Sequence, residues 1–304
     1  MGLFAEILTT VTLPVVALLA LGWAVQWRLA LDVTTLSKLL VNVVLPFALL
    51  HFLTGADLPL VQIWPTVWFT IAQFGVLMAL GWGLAALCRF SREVRPVVGL
   101  AAAFPNTGNF GIPVAQLAFP PDFLLHQTVI VSLHSFLIVL AGVLVLSDER
   151  GGIADSLKAL ARSPMILAVI VGLAIRGFEF ELPLLVSHPV KLLAGAFTPL
   201  ALFTLGAQLG QTGLAVSQGP VWLSLFLKTL IAPGATWAAA WGLGIDAAVT
   251  DLLVVAAAAP VGLLLAIFCT EYKRSPDVVS AAVLISTVLS PAVVTAWILA
   301  VRLF

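Results

Sequence analysis

The residues with the most chemistry in this sequence lie together in Ala101–Pro113, AAAFPNTGNFGIP. Asn106, Thr107 and Asn109 offer amide and hydroxyl groups, and Gly108 and Gly111 let a backbone come close to whatever those groups bind. Pro105 has no N–H and its ring clashes with the preceding turn, so a continuous helix should fail there. Asparagine, threonine and glycine are also the types that start a new helix, and proline suits a helix's first positions. The segment therefore reads as one half-helix stopping near Phe104 and another starting just beyond. A new half-helix presents unpaired N–H groups and the positive end of its dipole.

A second interruption, AAAAPVG at Ala256–Gly262, places Pro260, Val261 and Gly262 in a similar setting. If the two interrupted helices cross, two N-terminal ends converge beside the Asn106 carboxamide. Without a full positive charge, that arrangement favours a small anion, above all a carboxylate. Carbonyls freed at the ends of the preceding halves offer the opposite choice, a cation. Prolines also kink packed membrane helices without any functional role. The pairing of the two breaks, one of them dense with Asn and Gly, favours a site. Interrupted spans at matching positions in two halves are the strongest sequence pointer to a transporter's binding site.

The elements that must hold these breaks follow from composition. Of 304 residues, 62% are hydrophobic and only 9% charged, against about a quarter charged in soluble domains. The apolar runs last about 20 residues, which specifies membrane helices rather than barrel strands. Zero net charge gives no basis for nucleic-acid binding. Ten spans fit, at approximately 4–26, 34–53, 64–88, 96–118, 123–146, 164–178, 186–209, 220–244, 249–270 and 277–302. The breaks fall in the fourth and ninth. Ten Lys and Arg residues lie in loops on one side and three on the other, with Lys228 inside the eighth span. The basic side should be cytoplasmic, which puts both termini outside. The first apolar run lacks a basic lead-in, so it reads as a retained helix.

Residues 1–146 then form a first five-helix repeat, 147–163 a cytoplasmic linker and 164–304 a second repeat, inverted because five is odd. AAAFP at 101–105 against AAAAP at 256–260, and LGWGL at 80–84 against AWGLG at 240–244, support the repeat. The fold class is thus an all-α membrane protein of ten transmembrane helices with broken, crossing helices four and nine. Within the linker, Asp155–Arg162 is expected to form a short amphipathic turn on the membrane surface.

PNTGNFGIP at 105–113 resembles the fourth-helix signature of the auxin efflux carrier family, and APVGLLLAIFCTEY at 259–272 is similar to its ninth helix. LPFALLHF at 45–52, LGAQL at 205–209 and the Lys228 and Pro233 pair resemble its second, seventh and eighth. The resemblance implies two inverted repeats of five, related in fold to bile acid–sodium symporters. It also implies a scaffold of helices one, two, six and seven, often dimeric, and a moving domain of helices three to five and eight to ten. Implied substrates are weak organic anions: auxin in plants, and dicarboxylates such as malate or malonate in bacteria. The substrate-contacting asparagine transfers to Asn106, and the crossover prolines to Pro105 and Pro260. The third span departs from the plant pattern. It carries Gln73 and no acidic residue, so coupling through a carboxylate there is in doubt.

His134, midway along the fifth span, could face the site and titrate near neutrality, or be a neutral hydrogen-bonded histidine. Lys228 could attract anions at the inner mouth or snorkel to the headgroups. His51 reads as interfacial packing, Glu271 with Lys273 and Arg274 as a solvated ion pair, and Gln208 and Gln211 as polar trim. Cys88 and Cys269 read as free thiols. Trp23, Trp27, Trp64 and Trp222 read as interfacial belt residues. No hydrolase, nucleotide or metal motif is present, so no enzyme activity and no cofactor are expected, with coupling to H+ or Na+ left open. The expected function is secondary transport of small organic carboxylates across the cytoplasmic membrane by alternating access. A sodium-coupled symporter and a channel or sensor are the alternatives. The expected partners are the organic anion, the lipid bilayer and a second copy through the scaffold helices.

Overall fold

The computed structural model describes residues 2–55, 59–146, 158, 161–210 and 219–303. Helices account for nearly all of them, and no strand occurs among the described residues. Among the described residues, seven helices are long and apolar enough to cross a membrane: α1 (Leu3–Leu29), α2 (Val33–Gly55), α3 (Val61–Leu87), α6 (Phe123–Leu146), α8 (Leu184–Leu209), α9 (Gly219–Gly242) and α12 (Pro276–Leu303). Shorter apolar helices are α4 (Val94–Ala103), α7 (Pro164–Gly177) and α10 (Ala247–Ala258). Two short helices follow the interruptions, α5 (Ile112–Ala118) and α11 (Leu263–Glu271). The expected turn at Asp155–Arg162 lies outside the described residues, apart from Lys158, Ala161 and Arg162.

Capping residues start several helices. Asp32 accepts hydrogen bonds from the Thr34 and Thr35 amides at the head of α2. Asp246 does the same for Ala248 and Val249 at α10, and Ser163 accepts from Ile166 at α7. Each cap satisfies amides that have no acceptor in the first turn.

Among the described residues, four wide π turns interrupt the α-helical pattern: Leu8–Thr12, Leu40–Val44, Thr107–Gly111 and Leu227–Ile231. Each ends two residues before a proline, namely Pro14, Pro46, Pro113 and Pro233. A proline donates no hydrogen bond, and its ring collides with the carbonyl four residues back. Widening the turn moves that carbonyl aside, and π turns of this kind gather at functional sites.

Packing follows two sets of helices. α8 packs along α1 and α2, and α2 along α7. α3 packs along α4 and α6, α9 along α10, and α12 along both α9 and α10. The exposed tryptophans Trp23, Trp27, Trp64 and Trp222 lie on the outside of the bundle.

Candidate functional site

Both interruptions are present, and they meet. α4 ends at Ala103, Phe104 is extended (φ −107°, ψ 97°), and the chain turns helical again only at Thr107. α10 ends at Ala258, Ala259 and Gly262 are extended, and α11 begins at Leu263. Pro105 and Val261 form an antiparallel bridge. The Asn106 amide donates to the Pro260 carbonyl at 2.7 Å, and the Gly262 amide donates to the Phe104 carbonyl at 2.9 Å. The Val261 amide donates to Ser286 Oγ of α12 at 3.0 Å. This corrects one expectation. The amides and carbonyls at the breaks are not bare, because each segment is the partner of the other, as buried irregular backbone requires. The groups left over are the first-turn amides of the second halves, those of Gly108, Asn109, Leu263 and Leu264, which by position have no acceptor in their own helix.

Side chains lock this crossing. Gln127 of α6 donates to the Thr107 carbonyl at 2.8 Å. A Cβ on Gly111 would stand 2.7 Å from the Gln127 amide nitrogen, and one on Gly262 would overlap the Phe104 ring. Glycine is therefore required at 262 for close approach. Gly108 differs from expectation, since a Cβ there meets nothing nearer than Val131 at 3.9 Å.

In front of the crossing lies a cavity of about 330 Å3. Pro105, Asn106, Thr107, Gly108, Asn109 and Gly262 line it, with Ser37 and Asn42 of α2, Ser135 of α6, Ser163 at the head of α7 and Gln208 of α8. Asn106 is buried to 7% exposure, and its Nδ2 has no hydrogen-bond partner among the described residues. Buried amide groups are nearly always paired, so this unpaired donor on a residue of the cavity wall is an exception. Every polar side chain among the described residues of the wall is uncharged.

Three expected site residues sit elsewhere. Pro260 and Val261 are buried at the back of the bridge and do not line the cavity. His134 does not line it either. Its ring packs edge-on to Phe104 at 6.2 Å and tilted to Phe74 at 6.1 Å, behind the crossing, while its neighbour Ser135 faces the cavity. Lys228 neither guards a mouth nor snorkels. It is 1% exposed on the π turn of α9, packed against α4, α10 and α12, and its Nζ has no hydrogen-bond partner among the described residues. Gln73 of α3 donates to Thr236 of α9 and ties those two helices together. Arg274 meets Glu93 at 3.8 Å and donates to the Leu146 carbonyl, so the expected pairing with Glu271 gives way to one across loops. Cys88 is exposed, Cys269 is buried, and both are free.

Sequence reasoning missed Gln127 and Ser286, which hold the breaks, and undervalued Gln208, which donates to Ser37 at 3.1 Å on the cavity wall. Their signal was a polar side chain inside an apolar run, as in LLHQT at 124–128.

A family described as membrane transport protein matches residues 7–298 of this chain. The chain belongs to this family, that of the auxin efflux carriers. An uncharacterized transporter of Methanothermobacter thermautotrophicus is 25% identical over 299 residues, covering 95% of this chain and 97% of the relative. From Oryza sativa subsp. japonica, probable auxin efflux carrier component 5c is 29% identical over 145 residues, 45% of this chain and 39% of the relative. Component 1b from the same plant is 26% identical over 133 residues, 42% of this chain and 24% of the relative. The matches thus span well under half the length of these plant carriers. Membership in a transport family and seven long apolar helices make this an integral, multi-pass membrane protein.

Proposed function

We propose that this auxin efflux carrier family member is a secondary transporter of small organic carboxylates, working by elevator-like alternating access. The observation that carries the proposal is the unpartnered Asn106 amide in a cavity built where two interrupted helices bridge. A carboxylate placed there accepts from Asn106 Nδ2 and from the first-turn amides of the two second halves, with both helix dipoles pointing positive ends at it. The cavity's volume suits a small ligand, and the plant relatives' names point to an organic acid.

In this reading the chain crosses the cytoplasmic membrane ten times, α4–α5 and α10–α11 each counting as one broken span. The spans form two inverted repeats, 1–146 and 164–304, and both termini lie outside, as the ten-to-three distribution of basic residues favours. The set α1, α2, α7 and α8 is the scaffold and a surface for a second copy. The remaining helices carry the crossing from one face to the other.

The test is uptake of labelled carboxylates into liposomes, with and without proton and sodium gradients. Asn106→Ala removes a hydrogen bond to a charged group, worth about 1.5–3 kcal/mol, so uptake should fall about tenfold or more at subsaturating substrate. Unchanged uptake by a folded Asn106→Ala protein overturns the placement. Flux that never saturates overturns the carrier in favour of a channel.

A further inference from the structure

The other end of the bundle holds a second hollow, of about 410 Å3. It is bounded by His51 near the end of α2, Gln116 and Phe119 near the end of α5, and Lys191 and Gly195 in the first half of α8. An apolar layer including Leu49, Ile112, Ala115 and Phe197, all buried, belongs to the core between this hollow and the crossing. The two cavities differ in charge. Uncharged groups line the first, whereas Lys191 brings an exposed ammonium to the second, beside the His51 imidazole, and no carboxylate is among the described lining residues. Thr198 of α8 donates to Gln116 Oε1, which joins α8 to α5 and leaves the Gln116 Nε2 donors over.

We propose that this hollow is a second anion site, which takes the carboxylate between the crossing and the aqueous phase at that end of the bundle. The inference rests on the carboxylate-carrier reading. Lys191 supplies the attraction that the neutral crossing lacks, and His51 and Gln116 supply hydrogen-bond donors. Such charge in a low-dielectric mouth concentrates anions. The Thr198–Gln116 contact closes the path between the two sites. When the crossing turns toward this end, that contact parts and frees both groups for the passing carboxylate.

Gly195 gives a probe position, because a Cβ there meets nothing within 4 Å. In a Cys88→Ser, Cys269→Ala background, purified Gly195→Cys protein is labelled with two methanethiosulfonates, one carrying a sulfonate and one a trimethylammonium. Relative to a free thiol in solution, the sulfonate reagent should be favoured about fivefold, and Lys191→Gln should abolish the preference. Millimolar succinate should slow labelling in the Lys191 protein and not in Lys191→Gln. Absence of the preference, a preference that survives Lys191→Gln, or labelling indifferent to succinate overturns the second site.

Protection must persist in Asn106→Ala. Protection lost with that substitution reports binding at the crossing alone and also overturns the second site. Failure of the unmutated protein to transport any carboxylate removes the carrier reading separately, and the labelling result then stands by itself.

Discussion

At the scale of single residues, the site depends on what cannot be added as much as on what is present. Gly262 and Gly108 look alike in the sequence, each beside a break in an apolar segment. In the structure a methyl at 262 collides with the Phe104 ring, whose carbonyl holds the bridge, while a methyl at 108 has room. Gly262→Ala is therefore expected to destabilise by about 1–3 kcal/mol and to lower the melting temperature. Gly108→Ala should leave it unchanged. Thermal denaturation of the two variants side by side checks this, and equal effects would contradict the packing at the crossing. The sequence made Asn106 legible, since a carboxamide after a proline has few reasons to sit in hydrocarbon. It left the support hidden. Gln127 is twenty residues from the carbonyl it holds, and Ser286 is twenty-five from its amide. Local pattern carries no information about which distant helix supplies a partner.

At the scale of elements, proline was legible as an interruption but not in its form. Pro105 and Pro260 end helices outright, whereas Pro14, Pro46, Pro113 and Pro233 lie inside helical stretches and are each preceded by a π turn. The difference lies in what is nearby to pair the freed backbone. At 105 and 260 the two breaks complete each other, at 14, 46, 113 and 233 the helix widens and continues, and Pro189, Pro199 and Pro291 are carried inside helices without a π turn. A π turn inserts one residue without a break, and one residue is about 100° of rotation in an α-helix. The turn at Thr107–Gly111 thus sets how Asn106 and Asn109 are presented relative to α5. Pro113→Ala restores an N–H able to bond the Asn109 carbonyl, which favours an ordinary α turn. The expected result is a melting temperature no lower than that of the parent, with the shift induced by succinate or other bound carboxylate abolished. Bound ligand raises apparent stability by mass action, so thermal shift reads both quantities in one experiment. A retained ligand shift would mean that the π turn does not set the site's geometry.

At the scale of the whole molecule, the question is which parts move as bodies. The places where an added Cβ would fall under 3.0 Å from a neighbour mark the tightest contacts, and among the described glycines they divide cleanly. Gly22 against Phe203, Gly206 against Leu19 and Gly172 against Leu53 all join members of α1, α2, α7 and α8. Gly81 against Gly99, Gly99 against Met78, Gly111 against Gln127 and Gly262 against Phe104 all fall within the other set. Close small-residue packing holds membrane helices together without a hydrophobic drive between them. Contacts between the sets are of another kind, apolar side-chain packing with hydrogen bonds such as the Thr12–Thr295 hydroxyl pair and Thr198 to the Gln116 amide oxygen. Hydrogen bonds of that sort exchange readily, whereas interlocked backbones do not. The proposed scaffold and carrier bodies therefore predict opposite outcomes for two crosslinks, made in the background lacking Cys88 and Cys269. A short bifunctional thiol reagent joining Thr198→Cys to Gln116→Cys ties the two bodies, so carboxylate uptake should stop and return when a cleavable linker is cut. The same reagent joining Gln73→Cys to Thr236→Cys ties α3 to α9 within one body, and uptake should continue. Uptake that survives the first crosslink would exclude movement of one set against the other. Uptake lost with the second would mean that α3 and α9 separate during transport, and the division into two bodies would have to be redrawn through the helices that carry the crossing.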